Sequence, residues 1–127
     1  MKILILGGGS VGTLVARRLI REKNEVVIVE GNSERCEELE EILDAKIVLG
    51  EASNIQTLKR ADLANTDMLI AVTNSDKANL LACLIAEVHS NVKIKVATLR
   101  THEVDEWQSI CGSDFLKIDL VIHPDRE

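Results

Sequence analysis

The feature that most constrains this chain is the passage from an unbroken apolar stretch, Ile3–Leu6, into Gly7-Gly-Gly-Ser-Val-Gly12 and then directly into a helical period. After the glycines, Val11, Leu14, Val15, Leu19 and Ile20 recur at helical spacing, with Arg17, Arg18, Arg21 and Lys23 on the other face. Strand, glycine turn and helix in this order are the context in which Gly7-x-Gly9-x-x-Gly12 becomes a specific signal. Gly7 permits a tight turn, Gly9 lets backbone approach a pyrophosphate, and Gly12 lets the helix pack close to the strand. A helix starting there aims its unpaired N–H groups and positive dipole end at bound phosphate.

Strand-length apolar runs and helical periods keep alternating to the C-terminus. Strands are expected at 2–6, 25–30, 45–49, 67–72, 93–99 and 118–122. The first helix ends at Asn24. Ser33 is the expected cap of the second, whose stripe is Cys36, Leu39, Ile42 and Leu43. A third helix follows from about Ser53, with Ile55, Leu58 and Leu63 inward. A fourth runs from Thr73-Asn-Ser-Asp76 through Leu80, Leu81, Leu84, Ile85 and Val88, and a fifth from about His102 to Ile110. Strands this apolar fit a parallel sheet covered on both faces. Right-handed crossovers in two βαβαβ halves then predict a single doubly wound, Rossmann-like α/β domain over residues 1–127, with six parallel strands in the order 3-2-1-4-5-6.

The second expected strand ends at Glu30, 18 positions after Gly12. A carboxylate there accepts the hydroxyls of an adenosine ribose and repels a 2′-phosphate, and Gly31 follows it rather than an arginine. NAD is favoured over NADP; ATP and ADP carry the same ribose and stay open. The other strand ends converge on the same crevice. Gly50-Glu51-Ala52-Ser53 is placed to line the adenine. Thr73-Asn74-Ser75-Asp76 is placed to reach phosphates or a second ribose, although Ser75 or Asp76 serves equally as a helix cap. Arg100 either reaches phosphate or is a solvated arginine.

Composition removes several function classes. Lys and Arg number 15 against 21 Asp and Glu, giving a net charge of −6, and aromatics are only 2%. That combination argues against a nucleic-acid partner, which needs positive charge and rings to stack on. Cys36, Cys83 and Cys111 show no metal-ligand spacing among themselves or with His89, His102 and His123, and are expected to be buried, reduced thiols. No segment reads as a leader or a membrane anchor, so a cytoplasmic location is expected. A dehydrogenase needs groups to move protons against a nicotinamide, and the chain has no tyrosine and little sequence after the sixth strand. A nucleotide crevice without chemistry points to sensing rather than to an oxidoreductase fragment.

Five segments together carry a resemblance to a known family. They are Met1–Gly12, Val27–Glu30, Val48–Ser53, Asp67–Asp76 and Ile118–Pro124, and they are similar to the TrkA N-terminal domain, also called the RCK or KTN domain. The resemblance covers essentially the whole chain, and Asp67–Asp76 is its most specific piece. It implies a cytoplasmic nucleotide-sensing regulator of potassium uptake, with nucleotide contacts at Gly7, Gly8, Gly9, Ser10, Val11, Glu30, Glu51, Ala52, Thr73, Asn74 and Arg100. Ser10 stands where Ktr-type relatives often place an arginine that meets an ATP γ-phosphate, which makes an ATP-specific switch less expected. The resemblance also implies a longer regulator with a C-terminal lobe. It further implies a homo-oligomer, dimer or ring, docked on a membrane potassium transporter subunit at the inner face of the membrane, without inserting in the bilayer itself. The helix faces carrying Arg17, Arg18 and Arg21, and Glu87 and His89, are the expected interface elements.

Overall fold

A computed structural model describes residues 1–99, 104–111 and 118–122. In chain order the elements are β1 (Lys2–Leu6), α1 (Ser10–Arg21), β2 (Glu25–Glu30), α2 (Ser33–Ile42), β3 (Lys46–Leu49) and α3 (Ile55–Arg60). A 3₁₀ turn at Leu63–Asn65 precedes β4 (Met68–Ala71), α4 (Asp76–His89), β5 (Ile94–Leu99), α5 (Val104–Cys111) and β6 (Asp119–Ile122). The six strands form one sheet in the order β3-β2-β1-β4-β5-β6. Every pairing is parallel. The expected fold class and strand order are therefore what the chain adopts.

Side chains alternate across a strand, and each sheet face has its own apolar layer. Leu4 and Leu6 of β1 join Val27 and Val29 of β2 beneath α3 and α4, through Leu58, Ala82 and Ala86. Ile3 and Ile5 join Val26 and Ile28 beneath α1 and α2, through Ala16 and Leu39. Helices after β1 and β4 thus leave on opposite faces, and a crevice opens between these neighbouring strands at their carboxyl ends.

Helix ends depart from expectation in instructive places. Asn32, not Ser33, caps α2, its side chain accepting the Arg35 N–H at 2.8 Å. The third helix begins after Asn54, whose side chain accepts from Thr57 N–H at 3.0 Å, and Leu63 belongs to the separate 3₁₀ turn. Helix α1 stops at Arg21, Lys23 takes a left-handed φ of 72°, and the Asn24 amide donates to the Leu19 carbonyl at 3.0 Å. Ser75 is the cap of α4, accepting from Ala78 N–H at 3.1 Å. Ile55, Ile42, Leu14, Leu81 and Val88, read as inward positions, are all exposed. Cys36 and Cys83 are buried thiols, while Arg100, His102 and the Cys111 side chain lie outside the described residues.

Candidate functional site

The carboxyl ends of β1 to β4 are drawn together by backbone bonds that extend the sheet. Gly7 N–H donates to Val29 O at 2.8 Å, Gly50 N–H to Glu30 O at 3.0 Å, and Val72 N–H to Leu6 O at 2.9 Å. Above them opens a cleft of about 760 Å³, within the size range of small-molecule sites. Gly7, Gly9, Ser10, Val11, Glu30, Glu51, Ala52, Thr73 and Asn74 all line it. Gly8 and Gly12 are buried and not among the lining residues. Arg100 lies outside the described residues.

The four glycines of the turn carry four different constraints. Gly7 has a φ of +108°, and a Cβ there would stand 3.0 Å from the Thr73 backbone, where the first and fourth strand ends meet. A Cβ on Gly12 would fall 1.9 Å from the Gly7 carbonyl oxygen, so the contact it permits is with the turn itself. On Gly8 it would come 2.5 Å from Leu39 Cδ1. On Gly9 it would meet nothing within 4 Å. Gly9 therefore faces open cleft, and it precedes α1 without offering any side-chain cap. The first turn of α1 is left to a ligand or to water.

Glu30 stands at the rim of this turn, held by two backbone amides. Gly8 N–H donates to its Oε1 at 2.7 Å and Asn32 N–H to its Oε2 at 3.0 Å. Each carboxylate oxygen has a further lone pair, so the group can still accept from hydroxyls. Arg35 completes the support. Its Nε donates to the Gly8 carbonyl at 2.7 Å and a terminal nitrogen donates to Thr13 Oγ1 at 2.9 Å, while Thr13 Oγ1 donates to that carbonyl at 3.2 Å. Beneath the acid, burial pushes the Cys36 thiol above its ordinary value, with the Glu30 and Glu40 charges acting the same way.

Across the cleft, the loop after β4 is fixed by Asn79, whose side chain is fully buried. Its Oδ1 accepts from Thr73 N–H at 3.0 Å and from Thr73 Oγ1 at 2.6 Å, and its amide donates to Thr98 O on β5 at 2.9 Å. The loop after β3 is tied by Arg60, which donates to Leu49 O at 3.2 Å.

Three contributors were not legible as site residues: Arg35, Asn79 and Lys77, the last of which lines the cleft. Arg35 and Lys77 share a signal that was available. Each is a cation in the first turn of a helix, where the dipole disfavours positive charge. Asn79 gave no signal beyond a polar residue on the apolar side of α4. Among the described residues no group of His, Cys, Asp and Glu could hold a metal, and no helix is long and apolar enough to cross a membrane.

A parallel sheet with a glycine turn, an uncapped helix start and an acid ending the second strand around one switch-point cleft defines the class of dinucleotide-binding α/β domains. The TrkA-N domain model matches residues 3–124, and the chain belongs to that family. It is 40% identical over 129 residues to the Trk system potassium uptake protein TrkA of Azorhizobium caulinodans, covering 100% of this chain and 28% of the relative. The chain thus spans little more than a quarter of the curated relative's length. Among solved structures it is similar to the TrkA-N domain of the inner membrane protein YbaL from Escherichia coli, with TM-score 0.80 and 23% identity, covering 95% of this chain and 86% of that one. It is also similar to the GsuK channel bound to NAD, with TM-score 0.77 and 23% identity, covering 94% of this chain and 21% of that one. GsuK is solved bound to ADP as well, again with TM-score 0.77 and 23% identity, covering 95% of this chain and 31% of that one.

Proposed function

We propose that this chain is the nucleotide-sensing part of a potassium uptake regulator and that its ligand is NAD(H). The observation that carries the reading is the arrangement of Glu30 beside Gly9. An amide-anchored carboxylate stands next to an open stretch of glycine backbone at an uncapped helix start. A ribose takes the first and a pyrophosphate the second. In this reading the pyrophosphate lies over Gly7–Gly12 and the N-terminus of α1 at Ser10 and Val11. The adenine lies toward Glu51 and Ala52, and the rest of the dinucleotide toward Thr73 and Asn74; Arg100 is carried as a contact by the resemblance alone. Family membership and the relative's role in potassium uptake supply the biological setting.

The chain binds rather than transforms its ligand. None of the described lining residues is a tyrosine, histidine or cysteine, the usual groups for moving protons against a nicotinamide. A ligand at this switch point touches the ends of β1, β2 and β4 and hence the helices that follow. It acts on a membrane potassium transporter subunit by binding two arrangements of a homo-oligomer with different affinity.

Titration calorimetry with NADH, NAD+, NADPH, ATP and ADP tests the assignment. NADH binding with NADPH excluded is the expected result. Much tighter ATP binding would move the cofactor to ATP/ADP while keeping the site, and silence toward every nucleotide would remove the site.

A further inference from the structure

Lys77 has no role in the fold, and its position asks for one. It is the second residue of α4, in a turn fixed by the Ser75 cap, where the helix dipole disfavours a cation. None of the ion pairs among the described residues involves it. It nevertheless lines the cleft, as do Ala78 and Leu81 on the same helix.

The charge of the cleft makes the position informative. Its other charged lining residues, Glu30 and Glu51, are both acidic, and Lys77 is the cation among the described lining residues. Without it, the walls would repel a polyphosphate that the start of α1 attracts. Arg35, the other cation close to the glycine turn, is already engaged with the Gly8 carbonyl, Thr13 and Glu38. A flexible ammonium with no ion-pair partner among the described residues suits a phosphate whose position varies with the ligand.

We propose that Lys77 is a specificity-determining residue of the nucleotide site, one that grades adenine nucleotides by the charge of their phosphate chain. This rests on the cleft being a nucleotide site, as argued above. Glu30 then reads the ribose, common to all these ligands, while Lys77 reads what lies beyond it. Sensing would follow phosphate charge through α4, the helix that also carries Asn79 and its bond to β5.

The test is a titration of AMP, ADP, ATP and NADH against the wild-type chain and K77Q, K77R and K77E, with thermal melts alongside. The melts should not fall, because the side chain is exposed and unpaired among the described residues, and K77Q and K77E should raise them slightly by relieving the dipole at the start of α4. K77Q should cost ATP on the order of tenfold in affinity, with smaller losses for ADP and NADH and the least for AMP. K77R should recover most of that loss, K77E should deepen it, and the salt dependence of ATP binding should flatten in K77Q. Equal losses for AMP and ATP, or none for any nucleotide, would overturn the proposal while leaving the site intact. A wild-type chain that binds none of the four would instead overturn the nucleotide reading, and this inference with it.

Discussion

Gly8 and Glu30, 22 residues apart in sequence, are joined by an N–H···Oε1 bond of 2.7 Å, so the turn after β1 and the acid ending β2 form one unit. The carbonyl of the same Gly8 accepts from Arg35 at 2.7 Å. Gly8 is thus held at both its N–H and its carbonyl by charged side chains from β2 and α2. Nothing in the Gly7–Gly12 spacing announces this, yet it makes Glu30, the proposed ribose ligand, a strut for the glycine turn as well.

Glu30→Ala should therefore weaken NADH more than loss of ribose contacts alone requires. Hydrogen bonds to a charged acceptor contribute about 1.5–3 kcal/mol each, so a loss of at least tenfold is expected, together with weaker discrimination against NADPH. Glu30→Gln keeps an acceptor for Gly8 N–H but turns an amide toward Asn32 N–H, and should fall between. Calorimetry on both variants checks the order, and undiminished NADH binding by the alanine variant would sink it.

The glycines should separate stability from binding. Gly9→Ala adds a methyl into open space and should leave the melting temperature nearly unchanged while obstructing phosphate. Gly12→Ala drives a methyl to 1.9 Å from the Gly7 carbonyl and should destabilise, since overpacking costs about 1–3 kcal/mol or more against rigid backbone. Gly8→Ala should lie between them, because the atom it meets is the end of the Leu39 side chain. Urea denaturation and NADH titration on the three variants give the comparison. A Gly9→Ala variant that unfolds as readily as Gly12→Ala would contradict it.

The architecture was legible because Ile3–Leu6, Val26–Val29 and Leu69–Val72 are apolar at successive positions, which only a sheet covered on both faces tolerates. The cleft was legible where the turn and the strand end constrain residue type: Gly7, Gly9 and Glu30 all line it. It was not legible where neighbouring residues share one chemistry. Asn32 and Ser33 both make good caps, and which side chain meets the Arg35 amide depends on where the helix begins by a single residue. Nor does an apolar stripe reveal how far it is covered. Leu81 and Val88 follow the helical period of α4 yet remain exposed, because periodicity reports a face and not what packs on it.

Asn79 offers a measure of how rigidly the cleft is held. Asn79→Ala would leave the half-buried Thr73 N–H and the buried Thr98 carbonyl without this partner, and should cost about 2 kcal/mol of unfolding free energy. Nucleotide affinity should fall with it, since Thr73 loses its backbone and hydroxyl anchor together. Denaturant titration supplies the first number and calorimetry the second. A variant less than about 0.5 kcal/mol weaker would mean that the network contributes little, against the desolvation penalty expected for unpaired buried groups.

The final prediction concerns acid. Asp62 adopts a left-handed φ of 67° in the turn before β4, where its carboxylate pairs with Lys2 of β1 and accepts from Asn65 at 2.9 Å. The hydrogen bond from Lys2 is the main reason that its carboxyl lies below the ordinary aspartate value, with Asn65 contributing next. A depressed folded-state value means that the unfolded chain takes up the proton first as pH falls. The contribution is therefore complete above the ordinary carboxylate range and disappears as pH drops through the lowered value. Asp62→Asn keeps a residue that tolerates the left-handed conformation while removing the charge. The wild-type chain should then be the more stable of the two near neutral pH, and the gap should close as pH falls below the ordinary aspartate range. Because Asp62 is well exposed, the gap should be modest and should narrow in high salt. Denaturation midpoints at several pH values, in low and high salt, would reveal it. A difference that stays constant from neutral to acid pH would show that the pair with Lys2 does not tune this carboxylate.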